Sequence, residues 1–327
     1  MHPINSFRRL RPSKRSHSQT LFQLSFVFFV LIGLAACASR QMTVRAVTNV
    51  IDDGITAFER DNDLDLLEKA FPPNIKLLEI LLASDPHNRK LLVLLSRSYA
   101  SYAFIFFEGR IESSRLKSAS NAADRALANG LIETATGYYR KGTEYALRAI
   151  EIRYPDCRRK LANIATAGPF IQTLGKEDLP ALFWYGFNRG AEINLNRTSI
   201  SSMAGAHRVE KAMRRAIELD DAYFYGGAHL VLFTYYAARS PLMGGNPALA
   251  LEHYRSLKQM HGDAFLLTDL YYARYYLYHR QDREEFMDVL NRLLSEPDNV
   301  EKFRLFNQVA KDRARIYLAA TDRLFID

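Results

Sequence analysis

The sequence predicts an all-α fold, a repeat of helical hairpins stacked as an α-solenoid with flanking helices. Three observations lead there. Apolar residues return every three or four positions through most of the chain. Strand signals are scarce, since the one Asn-Gly pair, Asn129-Gly130, does not join two alternating runs and Val and Thr are not gathered into short segments. Helix-stopping punctuation containing Asp recurs at similar intervals. With 327 residues, 48% of them hydrophobic and 24% charged, the chain has ordinary globular composition and enough length for a sizeable core.

The first element is a leader and not part of the fold. Arg8, Arg9, Arg11, Lys14 and Arg15 precede an apolar run from Leu21 to Ala36, shorter than the roughly 20 residues of a membrane-spanning helix. The run ends Leu34-Ala35-Ala36-Cys37, which resembles the lipobox of bacterial lipoproteins. Residues 1–36 are therefore expected to be a lipoprotein signal peptide, and Cys37 the lipidated N-terminus of a single domain, 37–327. Acyl chains contribute about 0.8 kcal/mol per buried methylene, so several of them anchor a protein firmly. Residue 38 is Ala and not Asp, which by resemblance to the sorting rule of Gram-negative lipoproteins favours the outer membrane. The leader also explains the charge: without its five basic residues, 39 Lys and Arg face 36 acids, a net of +3 in place of +8. A nucleic-acid partner loses its main support. Cys157 is the only other cysteine, so no intrachain disulfide staples the mature domain.

Beyond the leader, residues 42–70 read as a flanking helical region. From Pro73 to Ala83, Ile75, Leu78, Ile80, Leu81 and Leu82 return to one face, and Asp85-Pro86 stops that helix and offers a cap to the next. Leu91, Leu92, Leu94, Leu95, Tyr99, Tyr102 and Phe106 continue on the following helix. Thr143 to Ile152, with Ala146, Ala149 and Ile150 on a small apolar face, reads as a further helix ended by Tyr154-Pro155. The punctuation at Asp85, Asp156, Asp221 and Asp298 is spaced by 71, 65 and 77 residues, close to twice the ~34-residue tetratricopeptide period. The best single match begins at Ala222, where Tyr223, Gly227 and Leu230 fit a first helix, and Ala250, Tyr254 and Leu257 a second. Between them stands Arg239 to Pro247, a nine-residue insertion where such a hairpin has a tight turn. It reads equally as a functional loop or as a tolerated surface insertion. Residues 300–325 close the chain as a second flank, covering the end of a solenoid.

Chemistry-bearing motifs are few. The eight histidines are scattered, and no His-Glu-x-x-His, Cys pair or Asp-rich loop gives metal-ligand spacing. Gly226-Gly227 and Gly244-Gly245 precede no Lys-Ser or Lys-Thr and read as turn or packing glycines. His229, between Ala228 and Leu230, reads first as a hydrogen-bonded interior histidine, with a ligand contact as the sharper alternative. Phe183-Trp184-Tyr185 reads as core aromatics ahead of a ligand-lining role. Glu112-Ser113 matches the catalytic dipeptide of lytic transglycosylases, but its surroundings carry nothing else of that pattern.

Several stretches together resemble one family. They are Asp85-Pro86-His87-Asn88 through Tyr99 to Phe107-Glu108; Ala181-Leu182-Phe183-Trp184 to Ile193-Asn194-Leu195-Asn196; Ala216-Ile217-Glu218-Leu219-Asp220; Gly227-Ala228-His229-Leu230 through Tyr235-Tyr236-Ala237 to Gly244-Gly245-Asn246-Pro247; and Arg304-Leu305-Phe306-Asn307 to Ala314. In this order, behind a lipobox, they resemble the T-component of tripartite ATP-independent periplasmic (TRAP) transporters. The resemblance implies a tetratricopeptide-like periplasmic lipoprotein that forms a homotrimer with a channel through each subunit. It implies partnership with the solute-binding subunit of a TRAP system, an apolar small ligand, no cofactor and no catalysis. Trp184, Tyr185, Asn188 and Asn194 on one aromatic helix are then candidate ligand- or partner-binding residues, as are Tyr225, His229, Gly244, Gly245 and Asn246 around the insertion. The competing readings are a scaffold lipoprotein of outer-membrane assembly and a transglycosylase with Glu112 in an open cleft.

Overall fold

Helix follows helix through the computed structural model, and no strand occurs among the residues it describes, 41–117, 122–196, 205–297 and 299–325. The leader, Cys37 and Asp298 lie outside these. The chain divides into two compact units, Met1–Val47 and Thr48–Asp327. Of the first, residues 41–47 are described and are helical; the second holds all the remaining described residues.

After α1 (48–59) comes α2 (Leu64–Ser84), capped by Asp63, whose side chain accepts from the Leu66 N–H. The helix does not begin at Pro73 as the sequence suggested: it runs through Pro72-Pro73. Two backbone donors are lost there. Phe71 just before them is held by Phe58, Tyr102 and Phe106, with ring centroids 5.6, 6.0 and 5.6 Å away. The buried stripe is Leu67, Phe71, Ile75, Leu78 and Leu82, while Ile80 is 66% exposed. At the turn the cap of α3 is Asn88, which accepts from the Leu91 N–H and donates to the Asp85 carboxylate at 3.2 Å. Asp85 thus steers the cap rather than being it.

The next helix, α3 (Arg89–Lys117), is long and apolar enough to cross a membrane, but 72% of its most apolar window is buried inside the fold, which makes it the core helix. A π-turn at Ala103–Phe107 interrupts it. Against it lies α4 (Ala122–Glu151), whose interior contains Asn129-Gly130 and whose last third is the predicted Thr143–Ile152 segment. Two short helices follow the Tyr154-Pro155 stop, α5 (Cys157–Ala162) and α6 (Ile164–Thr173). Next is the aromatic helix α7 (Leu179–Leu195), packed on both α3 and α4. Asp178, fully buried before α7, accepts from Arg89 at 2.8 Å, from Arg153 and Tyr154 at 3.0 Å, and from the Gly175 N–H at 3.1 Å. Its negative charge ties three segments together.

Then come α8 (Ala206–Leu219), α9 (Tyr223–Ala237) and α10 (Pro247–His261), consecutive neighbours in space. A further helix, α11 (267–280), contains a second π-turn at Tyr272–Leu277. The chain ends with α12 (Arg283–Ser295), α13 (Arg304–Leu318) and α14 (Thr321–Leu324). The helix α13 does more than cover an end: it packs back onto the second half of α3 as well as on α11 and α12.

Candidate functional site

The core is not filled where α3, α7, α9 and α13 approach one another. A cavity of about 260 Å³ lies there, walled by Phe104 from the π-turn, Trp184 and Phe187 from α7, Phe224, Leu230 and Val231 from α9, Phe265, Leu267 and Tyr271, and Phe306 from α13. The walls are mainly aromatic rings and aliphatic chains; Ser101, Thr234, Asn194, Glu108 and Arg239 supply polar points. This is the make-up of a small-molecule pocket, whose typical volumes begin at roughly 300 Å³.

Trp184 is 1% exposed and sits edge-on to Phe183, Phe187 and Phe224, at 5.0, 5.4 and 4.8 Å between centroids. Phe224 is placed by an unusual backbone. Phe224, Tyr225 and Gly226 take φ/ψ of 48/54°, 59/35° and 66/25°, a single left-handed turn inside α9. Left-handed helical geometry costs an L-residue about 1–2 kcal/mol, and such outliers persist only where their surroundings over-determine them. Here they do. Tyr225 donates to the Glu59 carboxylate at 2.7 Å and packs edge-on to Phe303 at 5.3 Å, while the His261 ring donates to the Tyr225 carbonyl at 3.1 Å. The Arg97 guanidinium lies 5.0 Å from the Phe224 ring centre. Gly227 is required because a Cβ there would lie 2.8 Å from Phe183 Cζ.

The insertion Arg239–Pro247 closes one side. Arg239, Ser240 and Met243 line the cavity, with the Arg239 guanidinium 3.8 Å from the Tyr235 ring centre. The insertion is held by its own backbone: the Gly245 N–H donates to the Ser240 carbonyl at 2.9 Å and the Asn246 N–H to the Tyr236 carbonyl at 3.0 Å. Gly244 has φ 85°, and a Cβ on Gly245 would lie 1.9 Å from the Arg239 carbonyl oxygen. Asn246 caps α10, accepting from the N–H groups of Ala248 and Leu249 at 3.1 and 3.2 Å. Leu242, at the tip, is 97% exposed.

Of the residues singled out in sequence, Trp184 and Asn194 line the cavity. Gly244, Gly245 and Asn246 shape the loop, and Tyr225 holds the strained turn from behind. Asn188 is elsewhere, at the junction of three helices: its amide donates to Ser96 Oγ at 3.1 Å and to the Trp184 carbonyl at 2.7 Å, and Ser96 donates to the Gly142 carbonyl at 2.7 Å. Tyr185 is a buried core residue, and burial pushes its hydroxyl up. His229 pairs with His253, Nδ1 to Nδ1 at 2.9 Å. Burial lowers His229, and burial together with the His229 neighbour pushes His253 down to about 4; at this separation one ring nitrogen donates and the other accepts. Both oxygens of Glu112 are engaged by the Arg313 guanidinium, the geometry of a structural ion pair rather than of a proton donor facing a substrate. Phe104, Phe187, Phe224, Tyr271 and Phe306 were not foreseen as lining residues. The double glycine after Phe224-Tyr225 was the available signal, legible only as a turn or packing glycine.

The fold and site define the described residues as a helical domain around an aromatic-walled cavity, with no cluster of three His, Cys, Asp or Glu side chains suited to a metal among them. The family model described as TRAP transporter T-component matches residues 60–325, and the chain belongs to that family. The chain is also 25% identical over 284 residues to an uncharacterized protein of Treponema pallidum (strain Nichols), an alignment that covers 84% of each. The family is a transport component, which gives the chain a role in TRAP transport and a place at a membrane or in the periplasm.

Proposed function

We propose that the chain is the periplasmic adapter of a TRAP system, a lipoprotein held by acyl chains on Cys37 in the outer membrane, that receives an apolar small molecule in its aromatic cavity and docks the solute-binding subunit. In this reading it works without catalysis or cofactor, its helical pairs are degenerate tetratricopeptide-like repeats, and it acts as a homotrimer. Trp184 and Asn194 contact the ligand; Gly244, Gly245 and Asn246 set the loop that borders both ligand and partner. The observation that carries the reading is the cavity itself. Ring faces and aliphatic carbons offer an apolar guest the dispersion contacts that a packed core provides, and the polar points among them are few.

The test is organic extraction of the purified protein with mass spectrometry of the extract, beside binding of a TRAP solute-binding subunit from the same organism. Gly245→Val must displace the Arg239 carbonyl, so it is expected to weaken both while leaving helical circular dichroism unchanged. Full binding with full helicity would reduce the loop to a neutral insertion. Separately, Cys37→Ala is expected to release the protein from the membrane fraction, and unchanged fractionation would rule out the lipid anchor.

A further inference from the structure

Next to the apolar cavity lies a second one, of about 190 Å³ and quite different in lining. It is bordered by Glu108, Glu112 and Arg115 of α3, Asn194, and Arg274, Tyr275 and Tyr317. Glu108 and Asn194 border both cavities.

The charges in this wall are unevenly served. Arg313, buried behind it, binds both oxygens of Glu112 and donates to Glu108 at 3.4 Å, and Tyr139 donates to the other Glu108 oxygen at 2.6 Å. Arg313 therefore serves both acids. Arg274 has no such partner. Its guanidinium lies 5.0–5.5 Å from the ring centres of Tyr275, Tyr278 and Tyr317, no carboxylate of the described residues comes within ion-pair distance, and its buried Nε has no hydrogen-bond acceptor. The Tyr317 hydroxyl, on a side chain 1% exposed, is likewise buried without a hydrogen-bond partner. The Arg274 Nε and the Tyr317 hydroxyl are two buried donors on one cavity wall, each costly to leave without an acceptor.

We propose that this second cavity binds the carboxylate of a monocarboxylic acid, with Arg274 and the Tyr317 hydroxyl as its donors and the acid's apolar tail in the aromatic cavity. One charge and no more suits the site. Three cations, Arg115, Arg274 and Arg313, stand against two acids, Glu108 and Glu112, which leaves a single positive charge. A second negative charge on the ligand would face Glu112 uncompensated. The tail's placement rests on the reading of the aromatic cavity as an apolar-ligand site; the anion site rests on its own wall.

The experiment is calorimetric titration of the delipidated full chain, in one constant mild detergent, with decanoate and with decan-1-ol. The wild type is expected to bind decanoate about tenfold or more tightly than decanol, the scale of a hydrogen bond to a charged group. Tyr317→Phe, which removes only the hydroxyl, and Arg274→Gln are each expected to weaken decanoate by about tenfold and leave decanol unchanged. Arg274→Lys, which keeps the charge, is expected to recover part of the loss. Equal binding of decanoate and decanol, or decanoate binding by Tyr317→Phe equal to wild type, overturns the carboxylate site and leaves the apolar reading standing. Absence of binding by either compound overturns both.

Discussion

Gly142 and Asn188 meet with no space between them: a Cβ on Gly142 would stand 2.2 Å from Asn188 Oδ1. The glycine is there so that α4 and α7 can come this close, and the asparagine uses the proximity to link Ser96 to the α7 backbone. Gly142→Ala is therefore expected to destabilise by about 1 to 3 kcal/mol through overpacking. Asn188→Ala is expected to cost about 1 to 3 kcal/mol through lost hydrogen bonds. Because the new methyl enters the space the amide vacates, the double variant should cost clearly less than the two singles together, by urea denaturation. Additive losses would show that the two positions do not compete for that space. At the other polar pair, His253 is held down to about 4 in the fold against an ordinary 6.5. A depressed histidine means the unfolded chain binds more protons between those values, so stability is complete above pH 6.5 and falls as pH drops towards 4. With partial exposure discounted, the expected loss is about 1 to 2 kcal/mol. It is read as the difference in pH dependence between wild type and His253→Gln, since carboxylates titrating in the same window are common to both.

Among the elements, α9 stores strain and α3 and α11 carry π-turns. The three are not scattered. Phe224 of the strained turn, Phe104 of the first π-turn and Tyr271 at the edge of the second all border the aromatic cavity. An extra residue in a helical turn rotates the later turns relative to the earlier ones, which is how one helix can face the core with both halves. Gly226 sits at φ 66° with Met260 Sδ and Leu257 Cδ2 only 3.0 and 3.1 Å from where its Cβ would be. Gly226→Ala is thus expected to cost about 1 to 2 kcal/mol from the backbone alone, with more from the crowding. Relaxation of the turn would move Phe224, so the same variant should lose affinity for an apolar fluorescent probe by more than its small loss of stability explains. Unchanged affinity would separate the strain from the cavity.

Across the whole domain, the decisive contact is among the longest in sequence. Arg313 reaches Glu112 over 201 residues and binds the end of the chain to the second half of α3. Arg313→Leu leaves two acids without their cation and is expected to cost about 3 to 5 kcal/mol in thermal or chemical unfolding. Replacing all three charges together, Arg313→Leu with Glu108→Gln and Glu112→Gln, should restore much of that. If the single variant unfolds like wild type, the charge cluster does not hold the ends together.

Much of the helical pattern was legible because its causes are local. Ile75, Leu78 and Leu82 announce a buried stripe through their spacing, and Asp85-Pro86 and Tyr154-Pro155 announce stops, since capping and proline act within a few residues of themselves. The same locality limits the reading. Ile80 fits the stripe by spacing and is exposed, and Pro72-Pro73 looks like a boundary until Phe71 and its aromatic neighbours hold the helix through it. No spacing rule can tell that Phe224 and Tyr225 are left-handed, because the strain is sustained by Glu59, His261 and Phe303, residues brought there from other segments. Nor can one tell that Glu112 is an ion-pair partner while Arg274 meets tyrosine rings and no carboxylate at ion-pair distance among the described residues, because burial and distance between remote side chains, not residue type, settle which charge is neutralised and which faces a cavity.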